Sequence, residues 1–151
     1  SVPVGRRCGE ATTSLSDFVE LAASSGFEGV ELLYREGAEL GPHAPLAKAR
    51  EMFEYLVVEV PSYPKQKDAL VNCLPLLETV GVDQLNLQEL LVKPANAHRL
   101  DGEGYQAGVL SAKRFFLYGS RRMTYEVMQH CAAKRYSFTI NDCSAGRFGR
   151  S

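Results

Sequence analysis

The sequence of 151 residues lacks an excess of charge of either sign, a long hydrophobic run and closely spaced cysteines. Lysine and arginine number 17 against 18 for aspartate and glutamate, so the charge does not favour nucleic acid or an anionic membrane. No apolar run approaches the roughly 18 residues of a membrane span, and the N-terminus lacks the apolar core of a signal peptide. We therefore expect neither nucleic acid nor a membrane among its partners.

The four cysteines are too sparse for a disulfide scaffold. Cys8, Cys73, Cys131 and Cys143 form no C-x-x-C pair, whereas small secreted domains held by disulfides are denser in cysteine. Cys73 and Cys131 fall on the apolar faces of predicted helices, where a thiol behaves as a small buried hydrophobe. This use of cysteine predicts a reducing, cytoplasmic environment.

Short β-rich runs alternate with helical runs along the chain. The predicted strands are residues 30–34, 55–60, 84–91, 114–118 and 136–141. Such alternation is typical of an α/β fold in which right-handed β/α units build a parallel sheet. A closed β/α barrel needs roughly 250 residues, more than this chain has. We therefore predict one domain, residues 1–151, that forms a partial TIM-type barrel of about five β/α units.

An open doubly wound sheet fits the same alternation and stays an alternative. Neither G-x-G-x-x-G nor G-x-x-x-x-G-K-[ST] occurs, which weakens the nucleotide-binding versions of such a sheet. Pro75 is expected to kink or divide the helix predicted over 65–80. Residues 92–113 predict a loop with one short helix near 95–100, and Ser120 is expected to cap the last helix.

Six polar or thiol-bearing residues lie where predicted strands end. In parallel β/α folds ligands bind at the carboxyl edge of the strands, and these residue types can hydrogen-bond, bind metals or transfer protons. We interpret them as candidate cofactor- or substrate-binding residues, with the capping of turns by Asn and Asp as the alternative. The candidates are Glu59, Asn86, Glu89, Asn141, Asp142 and Cys143.

The histidines give no metal-binding pattern. His43, His98 and His130 form neither H-x-H nor H-E-x-x-H, and none of them ends a predicted strand, so no metal site is predicted. Arg121 and Arg122 follow Ser120 at a predicted helix start. There they could bind a phosphate or carboxylate beside the helix N-terminus, or simply be solvated.

Two segments, 58–97 and 118–144, carry the phrases of a known family and cover somewhat under half the chain. Residues 58–61 read V-E-V-P, and residues 81–90 read G-V-D-Q-L-N-L-Q-E-L. Further on, G-S at 119–120 begins a helix that leads to a strand ending near C-S at 143–144. These segments resemble the C-terminal half of radical S-adenosylmethionine proteins, in the branch related to pyruvate formate-lyase-activating enzymes.

The resemblance implies a partial β/α barrel that serves the reductive cleavage of S-adenosylmethionine to an adenosyl radical, followed by hydrogen abstraction. It implies that Glu59, Asn86 and Glu89 line the barrel mouth near cofactor or substrate. The family holds a four-iron cluster with C-x-x-x-C-x-x-C, whereas the N-terminal region here has only Cys8. The family's G-G-E also has no clear counterpart, since REGAEL at 35–40 resembles it only remotely.

Because the cluster motif is missing, we expect the chain to have no radical activity by itself. Thiolate ligands of an iron–sulfur cluster cannot be replaced by the residues that stand here. We therefore expect a substrate-side portion that is inactive alone. S-adenosylmethionine and a 4Fe-4S cluster are expected only in a longer parent chain, and no cofactor is predicted for this chain by itself.

Two further functions stay open. Residues 16–34 resemble the opening of sugar-phosphate isomerase and epimerase barrels of the xylose isomerase type, which implies a divalent metal with Glu31 and Glu59 as carboxylate ligands. No histidine ends a strand to complete that set. The other possibility is a non-catalytic β/α binding domain. A partial barrel leaves sheet edges open, which predicts a homo-oligomer or a partner domain that covers them.

Overall fold

The computed structural model describes residues 24–26, 28–33, 44–100, 104–108 and 111–144. The strands are β1 (Gly29–Leu33), β2 (Tyr55–Ser62), β3 (Gln84–Glu89), β4 (Leu91–Val92), β5 (Tyr105–Gly108), β6 (Ser111–Leu117) and β7 (Thr139–Asp142). The α-helices are α1 (Ala44–Met52), α2 (Lys67–Val80), α3 (Pro94–Ala97) and α4 (Ser120–Lys134), with single 3-10 turns at Pro64–Gln66 and His98–Leu100. Cys8 and the REGAEL segment at 35–40 lie outside the described residues.

The main sheet has four parallel strands in the order β1-β2-β3-β7. Neighbouring strands in this sheet therefore follow one another along the chain, with β4 to β6 inserted before the last strand. The register places Glu59 opposite Asn86, and Asn86 opposite Asn141. The predicted α/β class and parallel sheet are confirmed, and the described residues contain four parallel strands.

The three long helices among the described residues pack on one face of this sheet and form the core with it. Side chains alternate between the two faces of a strand, so every second residue of β2 and β3 turns toward the helices. The core joins these strand residues to apolar residues of α1, α2 and α4 and to Phe53, which directly follows α1. Its members include Leu46, Ala49, Phe53, Leu56, Val58, Val60, Leu70, Leu74, Leu77, Leu85, Leu87, Met123, Val127 and Cys131. Each fully buried Leu or Val contributes about 1.5–3 kcal/mol relative to exposure.

Helix α2 runs unbroken from Lys67 to Val80, so Pro75 does not divide it, and the alternative of a kink stays a prediction. Pro75 lies on the exposed side of the helix, while Leu74 and Leu77 beside it are buried in the core. Burial of these leucines outweighs the one backbone hydrogen bond that proline cannot donate. Gly81 ends the helix at a φ of 83°, in the left-handed region that glycine adopts without steric cost.

The strand predicted over 114–118 exists, but it belongs to a second sheet. It forms part of β6, which pairs antiparallel with β4 and β5. It is therefore not a fifth parallel β/α unit. The described part of the connection from β3 to β6 contains β4, the short helix α3, one 3-10 turn and β5. The short helix is close to the prediction at 95–100, whereas β5 lies in the stretch predicted as a loop. Parallel strands are usually joined by a crossover that contains a full helix, and the described residues of this connection contain none.

Arg50 forms several hydrogen bonds at the amino edge of the parallel sheet. The Arg50 guanidinium donates to the carbonyl of Gly81 at 2.9 Å and to Oδ2 of Asp83 at 2.7 Å, and it also reaches the carbonyls of Phe53 and Glu54. The Asp83 carboxylate in turn accepts the backbone N–H of Leu56 at 2.8 Å. This side chain therefore satisfies carbonyls that follow α1 and α2, where helices leave acceptors unpaired.

Candidate functional site

The second face of the parallel sheet carries a row of polar side chains. Val58 and Val60 point into the helix-covered core, so strand alternation places Glu59 on the opposite face. Its register partner Asn86 and the next partner, Asn141, share that face. Adjacent strands lie about 4.8 Å apart, which brings the three side chains side by side across β2, β3 and β7. Three of the six predicted site residues are thus brought together.

A chain of hydrogen bonds joins this row to residues nearer the amino edge. Oδ1 of Asn86 accepts from Nε2 of Gln84 at 2.7 Å and from Nδ2 of Asn141 at 3.2 Å. The hydroxyl of Tyr55 donates to Oε1 of Gln84 at 2.8 Å. Asn86 is only 9% exposed, so its amide is held largely away from water.

Sequence reasoning missed Tyr55 and Gln84. A signal for Gln84 was present, because Gln84, Asn86 and Gln88 alternate with Leu85 and Leu87, and that period of two predicts one polar and one apolar face. Nothing in the sequence indicated Tyr55, because its contact with Gln84 depends on how two strands pair. We refer to Tyr55, Glu59, Gln84, Asn86 and Asn141 together as the polar face.

Glu89 and Asp142 lie on the other, helix-covered face of the sheet. Asp142 is the register partner of the core residue Leu87, and Glu89 is the partner of Ser62, which is fully buried. The structure therefore does not gather all six candidates into one constellation. Cys143 follows β7 in a half-buried position, and its backbone N–H donates to the carbonyl of Leu87 at 2.8 Å.

Glu89 is a buried carboxylate that faces the first turn of α4. Its Oε2 lies 3.8 Å from Nη2 of Arg121. Burial raises the pKa of Glu89, the charge of Arg121 opposes that rise, and the nearby charge of Asp142 adds to it. In this chain Arg121 thus forms an ion pair with Glu89, which connects the end of β3 to the start of α4.

The hydrogen bonds of Asp142 match those of a turn. Its Oδ1 accepts the backbone N–H of Ser144 at 2.9 Å, and it also accepts the Ser144 hydroxyl. This is the local pattern by which Asp stabilises a turn two residues on. Asp142 therefore fits the capping alternative more closely than a ligand contact.

Hydrogen bonds of three buried hydroxyl groups connect α4 to the carboxyl edge of the sheet. The Ser62 and Thr124 hydroxyls are 2.6 Å apart, and Oγ of Ser120 accepts the backbone N–H of Leu90 at 2.8 Å. All three residues are fully buried. The expectation that Ser120 caps α4 is wrong, because Gly119 occupies the N-cap position and the Ser120 side chain turns to Leu90 instead.

The described cysteines do not fit an iron–sulfur cluster. Cys73 lies on α2, Cys131 on α4 and Cys143 after β7, and the described part of the chain places no three His, Cys, Asp or Glu residues so that they could hold a metal ion. Burial raises the pKa of the Cys131 thiol to about 11, which keeps it protonated and unreactive near neutral pH. No helix in the described ranges is both long and apolar enough to cross a membrane.

Fold and site together define an α/β protein whose parallel sheet has helices on one face and a polar face opposite. The chain matches no family model, no curated protein and no solved structure.

Proposed function

We propose that this chain is the substrate-side portion of a radical S-adenosylmethionine enzyme, of the branch related to pyruvate formate-lyase-activating enzymes. The polar face would line the interior of a partial TIM-type barrel and bind S-adenosylmethionine or the substrate. The observation that carries the proposal is the cross-strand row of Glu59, Asn86 and Asn141 on the face opposite the helices.

The strand order supports a barrel segment over a doubly wound sheet. Crossovers between parallel strands are almost always right-handed, so strands added in one direction leave all helices on one face. A doubly wound sheet reverses its order and takes helices on both faces. Here the order β1-β2-β3-β7 runs in one direction, and the long described helices share one face. The other face is then the one that a barrel turns inward.

The sequence segments that resemble the family also support the proposal, because residues of two of them are paired in the parallel sheet. Glu59 belongs to V-E-V-P and Asn86 to G-V-D-Q-L-N-L-Q-E-L, and the two are register partners. Glu89, from the second phrase, lies under α4 and pairs with Arg121. We therefore assign ligand contact to Glu59 and Asn86, together with Asn141, and a structural role to Glu89.

The chemistry available to the polar face is binding rather than electron transfer. Carboxylate oxygens such as those of Glu59 accept from a hydrogen-bond donor or bind a cation, and side-chain amides carry both donors and acceptors. Oδ1 of Asn86 already accepts from Gln84 and Asn141. The three described cysteines, Cys73, Cys131 and Cys143, do not form a cluster ligand set, so no radical step is assigned to them. Alone, the chain is expected to bind and to orient a ligand without transforming it.

Calorimetric titration of the chain with S-adenosylmethionine tests this proposal. Binding should weaken roughly tenfold in Glu59→Gln and in Asn86→Ala, because each removes a polar contact in a partly buried site. Gln88→Ala is the matched control, since Gln88 lies on the same face of β3 but is exposed. Absence of heat with the native chain, or equal affinity in all variants, would contradict the proposal.

The reading frame upstream of Ser1 in the source DNA tests the ancestry independently of binding. A C-x-x-x-C-x-x-C motif within roughly one hundred residues, the length that a full barrel still needs, would support a radical enzyme. A frame that opens at or just before Ser1 would exclude the cluster from this protein.

A metal-dependent isomerase-like barrel is the second candidate, favoured by two glutamates on neighbouring strands. Glu31 on β1 is the register partner of Val57, two residues before Glu59 on β2. Carboxylate oxygens are ligands that suit Mg²⁺ and Mn²⁺. Titration with manganese tests this candidate. The absence of both binding heat and a thermal shift would exclude it.

Self-association is the third candidate, and it concerns the edges of the parallel sheet. Among the described residues, β1 and β7 each pair with a strand on one side only. Unpaired strand edges bind further strands unless something covers them. Light scattering at high concentration tests this, and a strictly monomeric mass would argue against it.

A further inference from the structure

We propose that the first turn of α4 opens locally from the carboxyl edge of the parallel sheet, and that ionisation of Glu89 favours this opening. Four residues form the contact, and we call them the α4 junction: Glu89 and Leu90 at the end of β3, and Ser120 and Arg121 at the start of α4. Ligands of parallel β/α folds bind at this edge, so opening of the junction changes access to it. The opening does not depend on what the polar face binds, and it therefore goes beyond the proposed function.

Glu89 is a buried carboxylate that accepts no hydrogen bond from the described residues. Its side chain is only 7% exposed, and its ion pair joins Oε2 to Nη2 of Arg121 at 3.8 Å. That distance exceeds the roughly 3.2 Å that an N–H···O hydrogen bond spans. The ion pair therefore supplies charge attraction but leaves the carboxylate oxygens without the donors that water would provide.

Arg121, the other member of the pair, is also incompletely satisfied. Its Nε is the one buried side-chain nitrogen or oxygen in the described part of the chain that lacks a hydrogen-bond partner. Buried polar groups in folded proteins almost always have partners, and an unpaired one costs free energy. Because opening would bring water to both members of the pair, the junction is the place at this edge where local opening costs least.

Hydrogen bonds beside the pair hold the junction closed. Oγ of Ser120 accepts the backbone N–H of Leu90 at 2.8 Å, and one turn further along α4 the Thr124 hydroxyl lies 2.6 Å from that of Ser62. The bond from Leu90 is lost when Ser120 moves away from the sheet. The Leu90 amide therefore reports whether the first turn of α4 is in place.

The charge of Glu89 determines how stable the closed junction is. Among the described residues, the charged groups that act on Glu89 are Arg121 of α4 and Asp142 of β7, which oppose each other, while its β2 partner Ser62 is uncharged. One cation thus faces two carboxylates, and burial adds to the cost of keeping Glu89 ionised. Since water surrounds the carboxylate in the open state, ionisation favours opening and protonation favours closure.

A rise in pH should therefore loosen the junction. Burial raises the pKa of Glu89 in the closed state, whereas the open state has the ordinary glutamate pKa of about 4.3. Between these two values the opening equilibrium constant at Leu90 should increase by up to about tenfold for each pH unit. Above the raised pKa it should stay constant.

Hydrogen exchange of backbone amides in the ¹⁵N-labelled chain, followed by NMR at a series of mildly acidic pH values, measures the opening after correction for intrinsic exchange rates. The reference is the Leu56 amide, which also donates to a side-chain oxygen at 2.8 Å but lies at the amino edge of the sheet. Leu90 should open at least about tenfold more often than Leu56, because local opening costs less free energy than global unfolding.

Two variants of the junction separate the roles of its charges. Glu89→Gln should make the opening constant of Leu90 independent of pH. Arg121→Gln should extend its rise to higher pH, because the cation that opposes the raised pKa of Glu89 is removed. Arg122→Gln is the matched control, since Arg122 is the next residue, is 84% exposed and pairs with Glu126 instead. It should leave the opening at Leu90 unchanged.

Three results would overturn the proposal. They are an opening constant of Leu90 that does not depend on pH in the native chain, a pH dependence that persists in Glu89→Gln, and equal opening constants for Leu90 and Leu56 at every pH. In the last case the junction opens only with the whole fold. No S-adenosylmethionine is added, so failure of the polar face to bind it leaves these results unaffected.

Discussion

The two faces of the parallel sheet are built from alternating residues of the same strands, yet they differ in what most of their side chains contact. On one face Leu56, Leu85 and Leu87 are completely buried beneath helices. On the other, Asn86 and Asn141 exchange hydrogen bonds with neighbouring polar side chains. Strand alternation alone therefore places the apolar core and the polar face on opposite sides of the same strands.

The largest expected effect is on the helix-covered face. Leu85→Ala leaves a cavity in the core and should lower the free energy of unfolding by about 2–5 kcal/mol. The neighbouring Asn86→Ala should lower it by no more than about 1.5 kcal/mol, because only hydrogen bonds between polar side chains are lost. Urea denaturation of the two variants measures both values. Equal losses of unfolding free energy in the two variants would contradict the expected difference between the faces.

The next largest effect on stability concerns Arg50, which forms hydrogen bonds at the amino edge of the parallel sheet. Arg50→Ala removes the donor to Gly81 and Asp83 and should cost about 1–3 kcal/mol, while ligand binding on the polar face is retained. Chemical denaturation gives the stability. Arg122→Ala is the control, since Arg122 is 84% exposed and its surface ion pair with Glu126 should matter by less than about 1 kcal/mol.

A smaller effect should appear in the pH dependence of stability. Burial raises the pKa of Glu89, so the folded chain holds this proton more tightly than the unfolded chain. The resulting stability is fully present below the ordinary glutamate pKa of about 4.3 and is lost as the pH rises through the native pKa. Glu89→Gln should remove this dependence, as urea unfolding at a series of mildly acidic pH values will measure.

Glu126 provides a control of opposite sign. Hydrogen bonds from Lys67 and Arg122 lower the pKa of Glu126. Its contribution is therefore present above the ordinary glutamate pKa and is lost as the pH falls through the lowered native value. Glu126→Gln should flatten the stability curve at the acidic end. The same pH dependence in both variants would contradict the assigned causes.

The sequence predicted β2, β3 and the positions of Glu59 and Asn86 because continuous or alternating apolar runs mark buried strands. It could also have separated two of the candidates: Glu89 stands three residues after Asn86, and Asp142 directly follows Asn141, so strand alternation puts each on the face opposite its neighbour. Grouping all six by position at a strand end ignored this alternation.

Other features depend on contacts that sequence patterns do not encode. The bond between Arg50 and Asp83 joins residues 33 positions apart, and Tyr55 meets Gln84 only because β2 and β3 pair in one register. The antiparallel pairing of β6 was missed because a β-rich run gives no direction, and the shortness of the preceding helix was the available clue.

NMR mapping of S-adenosylmethionine binding to the ¹⁵N-labelled chain tests the proposal that the polar face binds the ligand. We expect backbone and side-chain shifts to concentrate at Glu59, Asn86 and Asn141, with little change at the core residues Leu85 and Leu87. Shifts confined to the helices, or none at saturating ligand, would contradict it.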